Sequence, residues 1–227
     1  MPVYGLTEEL IFPPPHLSNR DGILAVGGDL SPERLLLAYS MGIFPWYSEE
    51  DPIIWWSPNP RLVLYPSDLK ISRSMRPVFN QGKFIFTTDQ AFREIISSCR
   101  QSPRKGQRGT WITDEMLEAY CLLHEEGFAH SLEVWEKDNI VAGLYGVSLG
   151  SCFFGESMFT RVSNGSKAGF IYLVQELEKR GYDLIDCQVY TDHLSSMGAV
   201  EVPRKKFLTQ LENSLKKPTW RGKWLFG

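Results

Sequence analysis

Apolar and polar positions along the chain change their spacing near residue 61. From Asp89 to Cys99, Phe92, Ile95, Ile96 and Cys99 recur at helical intervals, and from Asp114 to His124 Leu117, Tyr120 and Leu123 do the same. The pattern then predicts strands at Ser131 to Trp135, Ile140 to Ser148 and Ser151 to Phe154. The turn-like EKDN and the sharp Leu149-Gly150 step between them predict consecutive antiparallel pairing. A helix from Ser166 to Arg180 stopped by Gly181, a strand LIDCQVY from Leu184 to Tyr190, and a helix beginning near Pro203 complete this part.

The chain before Arg61 is punctuated by proline and tryptophan in FPPPHL, GGDLSPERLLLAYSMGIFPWYS and DPIIWWSPNPR, which predicts a small, turn-rich unit. Within it Ser31 caps a helix with Pro32 in its first turn; Leu35, Leu36 and Tyr39 share a face, and Gly42 ends it. That helix is expected to deliver Phe44, Pro45 and Trp46 to a loop. The expected division is 1–61 and 62–227.

The 227 residues are 43% hydrophobic, enough for a core of ordinary density. No run approaches the roughly 20 apolar residues of a membrane span, and MPVYGLTEEL lacks the basic and apolar regions of a secretory signal, so a cytoplasmic location is expected. Cys99, Cys121, Cys152 and Cys187 form no CxxC pair and are expected as buried thiols, without a disulfide framework or zinc. The net charge of −3 confines any nucleic-acid site to a local patch.

Period-two alternation in LIDCQVY puts Ile185, Cys187 and Val189 on one face and Asp186 with Gln188 on the other. Two neighbouring polar groups on an apolar strand either face water or satisfy each other in a site. Glu156 interrupts the apolar FFGESMF directly after Gly155, as a ligand-facing carboxylate or an exposed turn residue. Ser157, Asp192 and His193 supply the side chains of a serine hydrolase, but GESMF lacks the second glycine of G-x-S-x-G. Trp46, Trp55, Trp56 and Trp111 lie where bases can stack, although core packing suits Trp55 and Trp56 better. Arg73, Arg76 and Lys83, then Arg93, Arg100, Arg104, Lys105 and Arg108, concentrate before Trp111.

The segments GGDLSPERLLLAYSMGIFPW, WWSPNPR, GTWIT, AHSLEVW, LYGVSLG, GESMF and LIDCQVYTDHLSSMGA, in this order, closely resemble the leucyl/phenylalanyl-tRNA-protein transferase family from about residue 11 to 210. The resemblance implies an α+β protein: a small N-terminal α/β domain and a larger acetyltransferase-like domain with a mixed, mostly antiparallel sheet. It implies transfer of leucine, phenylalanine or methionine from aminoacyl-tRNA to acceptor proteins beginning with arginine or lysine, marking them for degradation, with no cofactor or metal. The enzyme is expected to act as a monomer.

By that resemblance Asp186 and Gln188 form the reaction centre, with Asp186 fixing the Gln188 amide, and Glu156 meets the cationic acceptor. Trp46 and Trp111 hold the aminoacyl adenosine, Tyr39 and Tyr120 complete that wall, and Arg73, Arg76 and Lys83 meet the tRNA. Leu144, Phe153, Met158, Phe170 and Ile185 line the donor side-chain pocket. Leu144 departs from an expected methionine, which bears on donor ranking. Few positive charges separate Arg73, Arg76 and Lys83, which implies modest, salt-dependent tRNA affinity. An acetyl-CoA-dependent enzyme would need a Q/R-x-x-G-x-G/A loop before a helix, and none occurs. A non-catalytic RNA-binding module would leave Glu156, Asp186 and Gln188 without a purpose.

Overall fold

A computed structural model describes residues 3–102 and 112–226. Its first strands, β1 (Tyr4–Leu6) and β2 (Ile23–Gly27), precede helix α1 (Pro32–Ser40), and β3 (Phe44–Pro45) and β4 (Ile54–Trp56) complete a four-stranded sheet in the order β1-β2-β4-β3. Ser31 accepts the Arg34 N–H at the start of α1. Gly42, with φ of +70°, follows its end, and a Cβ there would stand 2.7 Å from Leu208 and 2.8 Å from Phe207. Both the backbone and the packing therefore need glycine. Phe44 and Pro45 are not in a loop, as expected from sequence, but pair with Trp56 and Trp55. Two residues are too few for periodicity to reveal.

The larger sheet begins with β5 (Arg61–Leu64). Helix α2 (Arg76–Asn80), β6 (Ile85–Thr88), α3 (Phe92–Gln101) and α4 (Asp114–Glu125) follow, then β7 (Ala129–Glu136), β8 (Asn139–Leu149) and β9 (Cys152–Thr160). After α5 (Gly165–Lys179) come β10 (Leu184–Gln188), α6 (Asp192–Ser196), β11 (Val200–Val202) and α7 (Arg204–Leu215). The strand order is β11-β5-β10-β9-β8-β7-β6. Among the described residues of this sheet, β9 and β10 pair in parallel and the other five pairings are antiparallel. This is the α+β class with a mixed, mostly antiparallel sheet that the sequence led us to expect.

Three boundaries differ from the sequence reading for physical reasons. α3 starts at Phe92 rather than Asp89 because Asp89 adopts φ of 54° and its carboxylate accepts from His130, Ser131 and Trp224. β9 runs on to Thr160, which places Glu156 inside a strand rather than in a turn. β10 stops at Gln188, two residues short of Tyr190, where the backbone turns left-handed.

One face of the large sheet shares its core with the small one: Leu24, Leu35 and Trp55 form a single buried cluster with Tyr145, Phe154 and Phe207. On the other face, Phe170, Ile171 and Val174 of α5 meet Leu132, Leu144 and Phe153, with Trp224 and Phe226 of the C-terminal tail. Cys99, Cys121, Cys152 and Cys187 are buried. No helix among the described residues is long and apolar enough to cross a membrane.

Candidate active site

The parallel β9–β10 ladder runs from Cys152 with Leu184 to Phe154 with Asp186 and stops there. Both strands are irregular immediately afterwards. In the β8–β9 ladder Tyr145 faces Ser157 and Gly146 faces Gly155, so Glu156 is the extra residue of a bulge. In the β5–β10 ladder Val63 faces Asp186 and Leu62 faces Gln188, so Cys187 is the extra residue there. A bulge bends its strand and re-aims the adjoining side chains.

The second bulge breaks the strict alternation between Asp186 and Gln188, and the two side chains take different partners. Gln188 has φ of 63°, a region where a side chain other than glycine is uncommon and which tends to mark a functional position. Asp186 turns to Arg61, with its two carboxylate oxygens 2.7 and 2.6 Å from Nε and Nη2 of the guanidinium. The Gln188 side chain reaches β9 instead, and its Nε2 donates to Glu156 Oε1 at 2.7 Å. Asp186 therefore does not hold the Gln188 side-chain amide; it accepts the Gln188 backbone N–H at 2.9 Å. The side chain is held by Glu156.

Glu156 also accepts from the hydroxyls of Tyr39 at 2.8 Å and Tyr120 at 3.1 Å, and the two hydroxyls bond each other. Burial raises the Glu156 carboxyl from 4.5 to about 7, against the lowering effect of its three hydrogen-bond donors. Tyr39 and Tyr120 are themselves buried and pushed well above the usual tyrosine value by that burial and by the Glu156 charge. Fully enclosed rings have no face to offer a base, so these tyrosines form a cradle for Glu156 rather than a stacking wall.

Beside the Glu156–Gln188 pair lies a cavity of about 340 Å³. Leu144, Phe153, Met158, Phe170 and Ile185, contributed by β8, β9, α5 and β10, all line it together with Glu156 and Gln188. The strand break after Asp186 and Phe154 is what makes room for it. Asp186, fully buried, is not among its lining residues.

Ser157 and His193 also face this cavity, but Nε2 of His193 is buried without a hydrogen-bond partner and Asp192 accepts from the Tyr190 hydroxyl. No serine-hydrolase relay forms from these side chains. Among the described residues no group of three or more His, Cys, Asp or Glu side chains is arranged to hold a metal ion.

Among the described residues, the expected nucleic-acid residues stand apart from the cavity lining. Trp46 is half-buried against Trp56, with ring centroids 5.8 Å apart, and Trp56 donates its Nε1 to the Trp46 carbonyl. Trp55 is buried in the core. Arg73 and Arg76 are exposed at the approach to α2 and its first residue, and Lys83 pairs with Glu136 at 3.5 Å. Arg93 and Arg100 are committed to Glu118 and Asp114. Trp111, Arg104, Lys105 and Arg108 lie outside the described residues. Arg61 was missed by the sequence reading: an arginine opening a strand after WWSPNP carries no sign that it is buried.

Comparison with known proteins places these observations. Residues 63–212 match the family model for leucyl/phenylalanyl-tRNA protein transferase, and residues 28–59 match the model for its N-terminal domain. Among solved structures, L-PGS from Bacillus licheniformis aligns with a TM-score of 0.41 and 15% identity over 88% of this chain and 66% of its own. Proteins named leucyl/phenylalanyl-tRNA–protein transferase are much closer in sequence. The one from Desulforapulum autotrophicum is 53% identical over 100% of this chain and 99% of its own length. That from Syntrophobacter fumaroxidans is 56% identical over 95% and 92%. With both domain models matched in order and relatives aligned from end to end, the chain belongs to the leucyl/phenylalanyl-tRNA–protein transferase family.

Proposed function

We propose that this chain transfers leucine, phenylalanine or methionine from aminoacyl-tRNA to the N-terminal arginine or lysine of acceptor proteins, marking them for degradation. The observation that carries this reading is the apolar cavity ending on the bonded Glu156–Gln188 pair. An apolar donor side chain fits the cavity, and its ester carbonyl then lies beside the polar pair.

The reaction is aminolysis of an ester. The acceptor's neutral α-amino nitrogen attacks the ester carbonyl carbon; the new C–N bond forms as the carbonyl becomes an oxyanion. Collapse breaks the C–O bond, the amine loses a proton, and the terminal ribose leaves as its hydroxyl. An ester is already activated, so positioning carries much of the rate. With Nε2 committed to Glu156, Gln188 presents its Oε1 as an acceptor for the amine's N–H. Glu156 supplies the negative charge that the cationic acceptor needs beside it. Trp46 and Trp111 hold the terminal adenosine by stacking, and Arg73, Arg76 and Lys83 meet tRNA phosphates. The enzyme acts in the cytoplasm as a monomer, with no cofactor or metal.

The test is transfer of labelled phenylalanine from charged tRNA to two peptides differing only in their first residue, arginine or alanine. Transfer to the arginine peptide alone is expected, and Gln188→Ala is expected to lower it by roughly 100-fold. Transfer to neither peptide at low salt, or unchanged transfer by Gln188→Ala, overturns the reading.

A further inference from the structure

Arg61 and Asp186 are only 1% and 0% exposed. Burying two opposite charges costs several kcal/mol of desolvation per ion, and well-packed apolar replacements are often as stable or more so. Stability alone therefore gives no reason for this pair. Its surroundings are specific. The guanidinium is sandwiched between Phe44 of β3 and Phe207 of α7, 4.7 Å from each ring centroid. Nε and Nη2 face Asp186, while Nη1 is buried without a hydrogen-bond partner. With two of its three nitrogens aimed at one carboxylate, the third has no partner.

Asp186 passes this constraint on. Held by Arg61, it accepts the Gln188 N–H across the bulge, at the one point where the strand turns left-handed. Beyond that turn the Gln188 side chain meets Glu156 rather than Asp186. We infer that Arg61 is a positioning residue for the transfer reaction: clamped between Phe44 and Phe207, it holds the Asp186 carboxylate in the place from which that carboxylate sets the backbone of Gln188, while Asp186 itself touches no substrate. The inference rests on the reading of Gln188 as the group that orients the attacking amine. Asp186 being walled off from the cavity agrees with it. An always-charged guanidinium with a rigid fork is the side chain that can do this; a lysine offers the charge without the two-point geometry.

The experiment compares the purified full chain with Arg61→Lys, Arg61→Met, Asp186→Leu, the Arg61→Met/Asp186→Leu double variant and Gln188→Ala. It measures kcat, KM for charged tRNA and for an arginine peptide, and Tm. Arg61→Lys is expected to lower kcat by about 100-fold with both KM values unchanged, as a misplaced reacting group does. The double variant, which leaves no unpaired buried charge, is expected to regain the wild-type Tm that each single apolar variant loses, yet not the kcat. Wild-type kcat in Arg61→Lys, or recovery of kcat together with Tm in the double variant, overturns the inference. If Gln188→Ala is inactive while Arg61→Lys is unimpaired, only this inference falls; if Gln188→Ala keeps full kcat, the reading beneath it falls as well.

Discussion

Gln188 donates its side-chain amide to Glu156 at 2.7 Å across a separation of 32 positions, from a strand whose parallel ladder with that of Glu156 has already ended. The bond spans the gap that forms the cavity. It makes the ionisation of Glu156 a property of the whole site, because the carboxylate meets an amide, two phenols and the open cavity at once.

A pH dependence follows. The Glu156 carboxyl stands at about 7 against its ordinary 4.5, so below neutrality it is largely protonated and its charge is absent. The profile of kcat/KM against pH is expected to rise through an acid limb near 7, beneath the separate limb of the acceptor amine near about 8. Glu156→Gln is expected to lose the lower limb and keep the upper. The effect on stability has the opposite sense. A carboxyl raised on folding favours the native state below 4.5, and that advantage is lost as pH climbs to about 7. The Tm of wild type relative to Glu156→Gln is expected to fall across that window and then level off.

Tyr39→Phe and Tyr120→Phe each remove a donor that lowers the Glu156 carboxyl. Each is expected to move the acid limb above 7 and to reduce stability by roughly 1–3 kcal/mol, the cost of a lost hydrogen bond to a buried charged group. Because the two hydroxyls also bond each other, the double variant is expected to cost less than the sum. A limb that stays in place in both single variants would show that the tyrosines merely fill space.

Sequence carried the long elements well, and the reasons are visible. α5 and β8 have enough residues for their periods to register, and Leu144, Phe153, Met158, Phe170 and Ile185, identified through family resemblance, converge on one cavity. Short strands such as β3 and β11 offer two or three residues and no period. The bulges were illegible for a different reason: strict alternation is the premise of a strand reading, and Glu156 and Cys187 are where it fails. Arg61 escaped because its partner lies 125 positions away, and an unaligned sequence gives no hint of that pairing.

Leu144 faces Met158 across the β8–β9 ladder, and both line the cavity. Leu144→Met conserves volume but replaces a branched side chain with a flexible one, so its stability cost is expected to stay below about 1.5 kcal/mol. Donor ranking is the sensitive readout. The ratios of kcat/KM for phenylalanyl- and methionyl-tRNA over leucyl-tRNA are expected to rise by up to about tenfold, the scale of single-methylene discrimination. Unchanged ratios would move the determinant of donor choice to another wall of the cavity.

The C-terminal tail is joined to the same pocket from behind. Asp89 accepts the Trp224 backbone N–H at 2.7 Å and the His130 Nδ1–H at 2.8 Å, and the Trp224 ring stacks on His130 with centroids 3.8 Å apart. Trp224 also packs against Phe153, a lining residue, at 6.0 Å. Two variants separate anchoring from support of the pocket. Asp89→Ala strands several buried donors and is expected to reduce stability by about 1–3 kcal/mol for each donor left unpaired, without altering donor ranking where the protein is folded. Trp224→Ala is expected to cost about 3–5 kcal/mol and also to weaken discrimination among donors, since Phe153 loses the ring behind it. Denaturant midpoints and donor kcat/KM ratios measured on both variants check this. If Trp224→Ala keeps the wild-type ratios, the tail stabilises the fold without shaping the pocket.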